Sequence, residues 1–158
     1  MTKPVTKPLT VPLARLLAIG YAQLIEGLHE RLAAAGWDDV RPTYGFVLLS
    51  LRDRESSVSH LAGLLGVSKQ ATSKLLDQMA AGEYVTRATS TADARQRMVA
   101  LAPRGRALLA AVEGIYAELE TEWAGVVGGK EVERLRGTLT QVVLATNEGR
   151  FPPVRPGP

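Results

Sequence analysis

Apolar positions recur three and four residues apart along most of the chain, which is the spacing of one face of an α-helix. The first such stripe predicts a helix over residues 9–35. A second helix over residues 42–52 is apolar on nearly every side, which favours an interior position. Two further stripes predict helices over residues 103–127 and from there to about residue 147, separated by Gly128 and Gly129. The two ends of the chain are therefore predicted to be helical.

The pattern changes in the middle of the chain, where two short helices are predicted on either side of Gly66. A helix that stops and reverses within a few residues needs a left-handed backbone at its end, and glycine adopts this conformation without a Cβ clash. Ser68 follows as an N-cap for a helix over residues 68–81. The residues that this helix would turn inward are Thr72, Leu75, Leu76 and Met79. Its open face would carry Lys69, Gln70, Ser73, Lys74 and Asp77. A polar and partly basic face of this kind suits a helix in a DNA major groove.

A hairpin is predicted directly after this helix. Residues 84–87 and 98–101 form its two strands, and the tip between them is polar and contains Arg95 and Arg97. A hairpin with basic residues at its tip, placed after a recognition helix, is typical of a wing that reaches phosphates or a minor groove. The sequence thus predicts a DNA-binding unit over residues 57–106, with the wing at residues 84–101.

The composition and the charge distribution of the chain argue against several classes of function. The chain has 158 residues, enough for one domain, and contains no cysteine and only two histidines, which argues against thiolate chemistry and zinc sites. Residues 57–106 carry seven basic and three acidic side chains, a net charge of +4, whereas residues 112–135 carry two basic and six acidic ones, a net charge of −4. This asymmetry predicts that the middle of the chain alone binds an anionic partner. The lack of a long apolar run predicts a soluble, cytoplasmic protein without membrane contact.

These motifs, taken in order, resemble the MarR family of winged helix-turn-helix transcriptional regulators. The resemblance rests on the run LAGLLGVSKQATSKLLDQMAAGEYVTR, on Asp93-Ala94-Arg95 in the wing and on VALAPRGRALL after it. It implies a mainly α fold with a small β-hairpin wing, in which N- and C-terminal helices flank the winged helix-turn-helix and form a homodimer interface. It also implies a repressor that binds a pseudo-palindromic double-stranded DNA operator and is relieved by a small aromatic or phenolic effector.

Within this framework, individual side chains receive expected roles. The expected DNA-binding residues are Ser68, Lys69, Gln70, Ser73, Lys74, Arg87, Asp93, Arg95 and Arg97. Gln70 is the best candidate for a base contact, because its amide can form two hydrogen bonds with an adenine edge. The resemblance gives Arg95 the minor-groove role and Asp93 the role of bracing the wing. Tyr44 is the expected effector-binding residue, and no catalytic residue, metal ligand or cofactor is expected.

The domain organisation follows from these elements, all within one structural domain. The predicted segments are a flexible arm (1–8), N-terminal helices (9–56), the DNA-binding region (57–106), C-terminal dimerisation helices (107–148) and a flexible proline-rich tail (149–158).

Two alternative functions belong to other classes of protein, a protein-interaction module and an enzyme. A winged helix used only for protein contacts predicts an apolar or acidic recognition face, and an enzyme would need a nucleotide-binding or catalytic constellation that the sequence does not contain.

Overall fold

The computed structural model describes residues 10–89 and 97–152, and within these ranges it has six helices and three short strands. The helices are α1 (Leu13–Ala34), α2 (Pro42–Ser50), α3 (Val58–Leu65), α4 (Lys69–Ala81), α5 (Pro103–Val127) and α6 (Gly129–Thr146). The strands are β1 (Ser56–Ser57), β2 (Val85–Thr89) and β3 (Arg97–Leu101). A mainly α fold with a small β wing is thereby confirmed.

Serine caps and one left-handed glycine set the boundaries of the two central helices. The hydroxyl of Ser57 accepts a hydrogen bond from the backbone N–H of His60 at 3.1 Å, and that of Ser68 accepts one from Ala71 at 3.1 Å. Each cap satisfies a backbone donor that the first helical turn leaves unpaired. Gly66 ends α3 with φ of 69°, as the sequence predicts.

The ends of the outer helices differ slightly from the prediction. α1 begins at Leu13, and Thr10 and Val11 are not helical, while Leu9 lies outside the described residues. Pro12 explains the later start, because a proline disfavours helical backbone at the residue before it. α2 ends at Ser50 and not at residue 52, and Leu49 on this helix is 51% exposed. The expectation of a wholly interior helix was therefore wrong for that face of α2.

The sheet joins the hairpin to a strand that the sequence did not reveal. β3 lies between β1 and β2, and all pairs are antiparallel, with Ser56 opposite Val99 and Val85 opposite Leu101. β1 has only two residues, both serine, so it carries no apolar alternation. Pairing with β3, more than forty residues later, defines it as a strand.

One core holds α3, α4 and the β-hairpin against α1, α2 and α5. Its fully buried side chains include Leu32, Val47, Leu48, Leu61, Leu76, Met79, Tyr84, Val99 and Leu108. Thr72 is also fully buried, and its hydroxyl donates to the carbonyl oxygen of Ser68 at 3.0 Å, which satisfies the polar group. The inward stripe predicted for α4 is thus present.

Two helices leave apolar surface uncovered in the single chain. The exposed apolar residues of α1 and α6 include Leu13, Leu16, Leu17, Ile19, Leu135, Leu139 and Val142. Single exposed apolar side chains are normal, but several along one helix are expected of an interaction surface. Among the described helices, none combines the length and the apolar character needed to cross a bilayer.

Candidate nucleic-acid interface

The outer side of α4 carries the predicted polar face, here called the recognition face and defined by Lys69, Gln70, Ser73 and Lys74. Lys69, Gln70 and Lys74 are exposed, and Ser73 is half-buried. The opposite side of the helix lies in the core, so the helix is fixed with these four side chains outward. Helix periodicity alone was sufficient to predict this arrangement.

A shallow cleft lies between the starts of α3 and α4. Its walls include Ser57 and Ser59 at the start of α3, Lys69 and Gln70 at the start of α4, and Arg97 at the start of β3. Two helix N-termini place unpaired backbone N–H groups and partial positive charge at one surface. Together with the cationic side chains of Lys69 and Arg97, they form a surface that suits a phosphate group.

Arg87 lies on β2, but its guanidinium is turned onto the recognition helix. It forms an ion pair with Asp77 and donates a hydrogen bond to the hydroxyl of Ser73 at 3.1 Å. The Arg87 side chain is only 17% exposed, whereas Asp77 is 66% exposed. The structure therefore places Arg87 between wing and recognition helix, where it links the two, and this partnership was not visible in the sequence.

Of the remaining candidate DNA-binding residues in the wing, the structure describes only Arg97. Arg97 is exposed and pairs with Thr89 in the strand register, at the end of the described hairpin. Asp93 and Arg95 lie outside the described residues, so their assigned roles stay predictions. The wing's strands are present, with β2 beginning at Val85 and extending two residues further than predicted.

Behind the recognition helix, a cluster of three side chains joins distant parts of the chain; we call Asp39, Tyr84 and Arg104 the Tyr84 cluster. The phenol of Tyr84 donates to Asp39 Oδ1 at 2.6 Å, and Arg104 Nη2 donates to the same oxygen at 3.3 Å. The Arg104 guanidinium lies 4.5 Å from the Tyr84 ring centroid. Burial, reinforced by the hydrogen bond to the Asp39 carboxylate and its negative charge, raises the pKa of Tyr84 to about 12.

A separate cavity of about 230 Å³ lies between α1, α2 and α5. Its polar lining groups are contributed by Tyr21, His29, Arg41 and Tyr116, and the rest of the wall is largely apolar. Burial and, to a smaller extent, the neighbouring Tyr21 raise the pKa of Tyr116.

Tyr44, the residue expected to bind an effector, does not line this cavity. It is 5% exposed and packs edge-on against the Tyr84 ring with 5.5 Å between centroids. The helical phase of α2 turns Tyr44 into the core, while Gly45 and Phe46 face the cavity. Tyr21 and Tyr116 carry the same residue type as Tyr44, and their sequence context gave no signal that would have preferred them.

No group of three or more histidine or carboxylate side chains within residues 10–89 and 97–152 is arranged to hold a metal ion.

The sequence of this chain matches a known protein family and a curated regulator of transcription. Residues 38–96 match the model of the MarR family. The chain is 31% identical over 98 residues to the exopolysaccharide II synthesis transcriptional activator ExpG of Rhizobium meliloti, a match that covers 62% of this chain and 50% of ExpG. The chain thus spans about half the length of this curated relative. The proteins matched are regulators of transcription and not enzymes.

Solved structures share the fold over most of the chain. The reduced form of E. coli MarR superposes with a TM-score of 0.71 at 24% identity, over 85% of this chain and 98% of that one. A mutant of E. coli MarR in complex with operator DNA gives a TM-score of 0.65 at 24% identity, over 84% and 94%. A mutant of S. aureus MepR bound to an oligodeoxyribonucleotide gives 0.62 at 18% identity, over 87% and 100%.

Proposed function

We propose that this chain, whose residues 38–96 match the MarR family model, is a homodimeric transcriptional regulator of the MarR type that binds a pseudo-palindromic operator in double-stranded DNA. The recognition helix would enter the major groove, and the wing would lie in the flanking minor groove. A regulator of this kind acts where the chromosome is, so we assign it to the cytoplasm.

The observation that carries the proposal is the recognition face together with the cleft beside it. Lys69, Gln70 and Lys74 are exposed on a helix whose other side is anchored in the core. Gln70 and Lys69 also line the cleft that ends at Arg97. This arrangement offers a base-reading amide and phosphate-binding cations on one surface. A winged helix specialised for protein contacts would instead show an apolar or acidic face, so the structure favours DNA.

The dimer is supported by the uncovered apolar surface of α1 and α6. A two-fold axis would allow each exposed stripe to pack against its copy, which is the commonest way to bury such a surface. The two recognition helices would then reach major grooves separated by about one helical turn of DNA. The acidic charge of residues 112–135 stays away from the DNA in this arrangement.

The sign of regulation depends on where the operator lies relative to the promoter. One structural relative is the multiple antibiotic resistance repressor MarR, and the curated relative ExpG is an activator. We propose repression, by occlusion of the promoter. A promoter–reporter fusion that becomes more active when the regulator is deleted supports repression, and one that loses activity indicates an activator.

We further propose that the cavity between α1, α2 and α5 binds a small aromatic or phenolic effector. Two phenols and one imidazole, from Tyr21, Tyr116 and His29, can hydrogen-bond the polar end of such a ligand, and the apolar wall can cover its ring. A ligand that prefers a dimer with mis-spaced recognition helices would lower DNA affinity. Loss of operator binding upon titration with a panel of aromatic carboxylates and phenols would support this role.

The test of DNA binding is fluorescence anisotropy with the protein's own upstream intergenic DNA and with scrambled DNA of equal length, across a salt series. We expect a clear preference for the upstream DNA and an affinity that falls steeply with salt. Gln70→Ala should reduce the preference more than the affinity, and Arg95→Ala should weaken binding while the dimer remains intact. Equal binding by wild type and both variants would refute the residue assignments.

A pair of lysine variants gives a control for charge. Lys74→Ala should lower the slope of log affinity against log salt by about one per contacted phosphate, hence about two per dimer. Lys130→Ala removes the same charge from the start of α6, far along the chain from the recognition face, and should leave that slope unchanged. Absence of any preference for the upstream DNA in the wild type would favour a winged helix directed at protein partners.

A further inference from the structure

We propose that Asp39, Tyr84 and Arg104 are positioning residues for DNA binding. They would hold the recognition helix and the wing at a fixed angle to α1 and α5 without contacting DNA themselves. The inference rests on the proposed function, because it concerns the orientation of the surface that reads the operator.

The Tyr84 cluster connects three parts of the chain that are far apart in sequence. Asp39 belongs to the loop between α1 and α2, Tyr84 precedes β2, and Arg104 lies in the first turn of α5. One carboxylate oxygen, Asp39 Oδ1, accepts both the phenol hydrogen bond at 2.6 Å and the guanidinium hydrogen bond at 3.3 Å. A single acceptor therefore ties the wing and α5 to the loop that follows α1.

Arg104 extends this connection to the recognition helix. Its Nη1 donates to the carbonyl oxygen of Gly82 at 2.7 Å, and Gly82 is the residue at which α4 ends. The last carbonyl groups of a helix have no partner within the helix, so a guanidinium at this position fixes the helix end. The backbone of Tyr84 contributes as well, since its carbonyl oxygen accepts from Ala102 N–H at 3.0 Å.

A contact from the loop between α1 and α2 reaches the last turn of α4. Arg41 Nη1 donates to Gln78 Oε1 at 3.0 Å. α4 is thus held at two places, at Gln78 by Arg41 of this loop and at Gly82 by Arg104 of α5. Two separated contacts restrain the tilt of a helix, whereas one would leave it free to pivot.

Burial and charge both indicate that the cluster acts indirectly. Tyr84 is fully buried, with 0% of its surface exposed, so its hydroxyl cannot reach DNA. Asp39 is 51% exposed and negatively charged, and a phosphate would repel it. Simple electrostatics therefore predicts that removal of the Asp39 charge strengthens DNA binding, while a positioning role predicts the opposite sign.

The experiment compares Asp39→Asn with Asp38→Asn, two adjacent exposed carboxylates. Within the described residues, Asp38 makes no side-chain hydrogen bond or ion pair, so its variant makes the same charge change without touching the cluster. Binding to the upstream DNA and to scrambled DNA is measured by anisotropy. We expect Asp39→Asn to weaken binding to the upstream DNA about three- to tenfold, which corresponds to the partial loss of charged hydrogen bonds. Binding to scrambled DNA should stay equal or tighten slightly, as for Asp38→Asn.

Tyr84→Phe supplies a second variant that changes no charge. It removes only the hydroxyl and keeps the ring that packs against Tyr44 and Arg104. We expect the same selective loss on the upstream DNA. A purely structural defect would lower the thermal midpoint and reduce binding to both DNAs in parallel. Unchanged upstream binding in Tyr84→Phe and Asp39→Asn would overturn the proposal.

Hydrogen exchange separates this inference from the proposed function. If the cluster fixes the wing, the amide of Ala102 should exchange faster in Asp39→Asn than in Asp38→Asn, whether or not DNA is present. Faster exchange in a protein that shows no DNA preference would refute the proposed function but not the mechanical role of the cluster. Equal exchange in the two variants would refute the cluster's role directly.

Discussion

Gly105→Ala gives the sharpest test of how the wing is joined to α5. Gly105 is buried in the first turn of α5, directly under the backbone of Tyr84. A Cβ atom at this position would lie 2.0 Å from the carbonyl oxygen of Tyr84, whereas real Cβ contacts essentially never fall under 3.0 Å. The start of α5 and the backbone of Tyr84 would therefore have to separate by about 1 Å.

Such a separation would lengthen the hydrogen bond between Ala102 N–H and Tyr84 O, which is now 3.0 Å, beyond useful range. Overpacking of a tight site costs about 1–3 kcal/mol. The lost backbone hydrogen bond adds about 1 kcal/mol. We expect the free energy of unfolding to fall by about 3 kcal/mol, equivalent to a drop of about 6–12 °C in the thermal midpoint for a chain of this size.

The assay is thermal unfolding followed by circular dichroism. All variants are measured at one protomer concentration, because the midpoint of the proposed dimer would depend on concentration. Gly114→Ala is the matched control in the same helix, since a Cβ there meets no atom within 4 Å. Better helix propensity should make this control about 0.5–1 kcal/mol more stable. A midpoint for Gly105→Ala equal to or above that of the wild type would refute the packing argument.

Three further predictions concern the dimer, the start of α5 and Tyr84. If the proposed dimer forms through α1, Leu16→Glu, at a residue 51% exposed on that helix, should yield a folded monomer in light scattering. Val67→Glu, 46% exposed between α3 and α4, should stay dimeric. Ala102 caps α5 without a side-chain hydrogen bond, so Ala102→Ser should raise the free energy of unfolding by about 1 kcal/mol in urea titrations. Burial raises the pKa of Tyr84 to about 12 in the folded protein, whereas the same phenol in the unfolded chain ionises above about pH 10. The free energy of unfolding therefore keeps its full value below about pH 10 and declines as the pH rises towards 12. Tyr84→Phe should reduce this decline, measured as the urea midpoint against pH.

Local sequence determined the helices and the recognition face. Intrahelical hydrogen bonds and caps join residues three or four apart, so Ser57, Gly66 and Ser68 carry their own boundary signals. The same periodicity placed Lys69 and Lys74 outward, because one side of α4 is apolar and has to be buried. The family resemblance followed from these short-range patterns.

Tertiary structure alone decided which side chains meet. β1 is a strand only because β3 pairs with it, and Arg87 links the wing to Asp77 because β2 folds back across α4. Neither contact leaves a periodic signal, since the partners belong to different elements.

The same limit explains the aromatic residues. Tyr44, Tyr84 and Tyr116 are chemically identical in sequence, yet two lie in the core and one lines the cavity. The packing of α1, α2 and α5 determines which of these tyrosines are buried in the core and which one lines the cavity. Tyr84 also contacts Asp39, which lies 45 residues earlier in the chain. Interactions between residues close in sequence therefore determine the helices and which of their faces are buried. The Tyr84 cluster and the cavity depend on contacts between elements, and these contacts form only when the whole core packs.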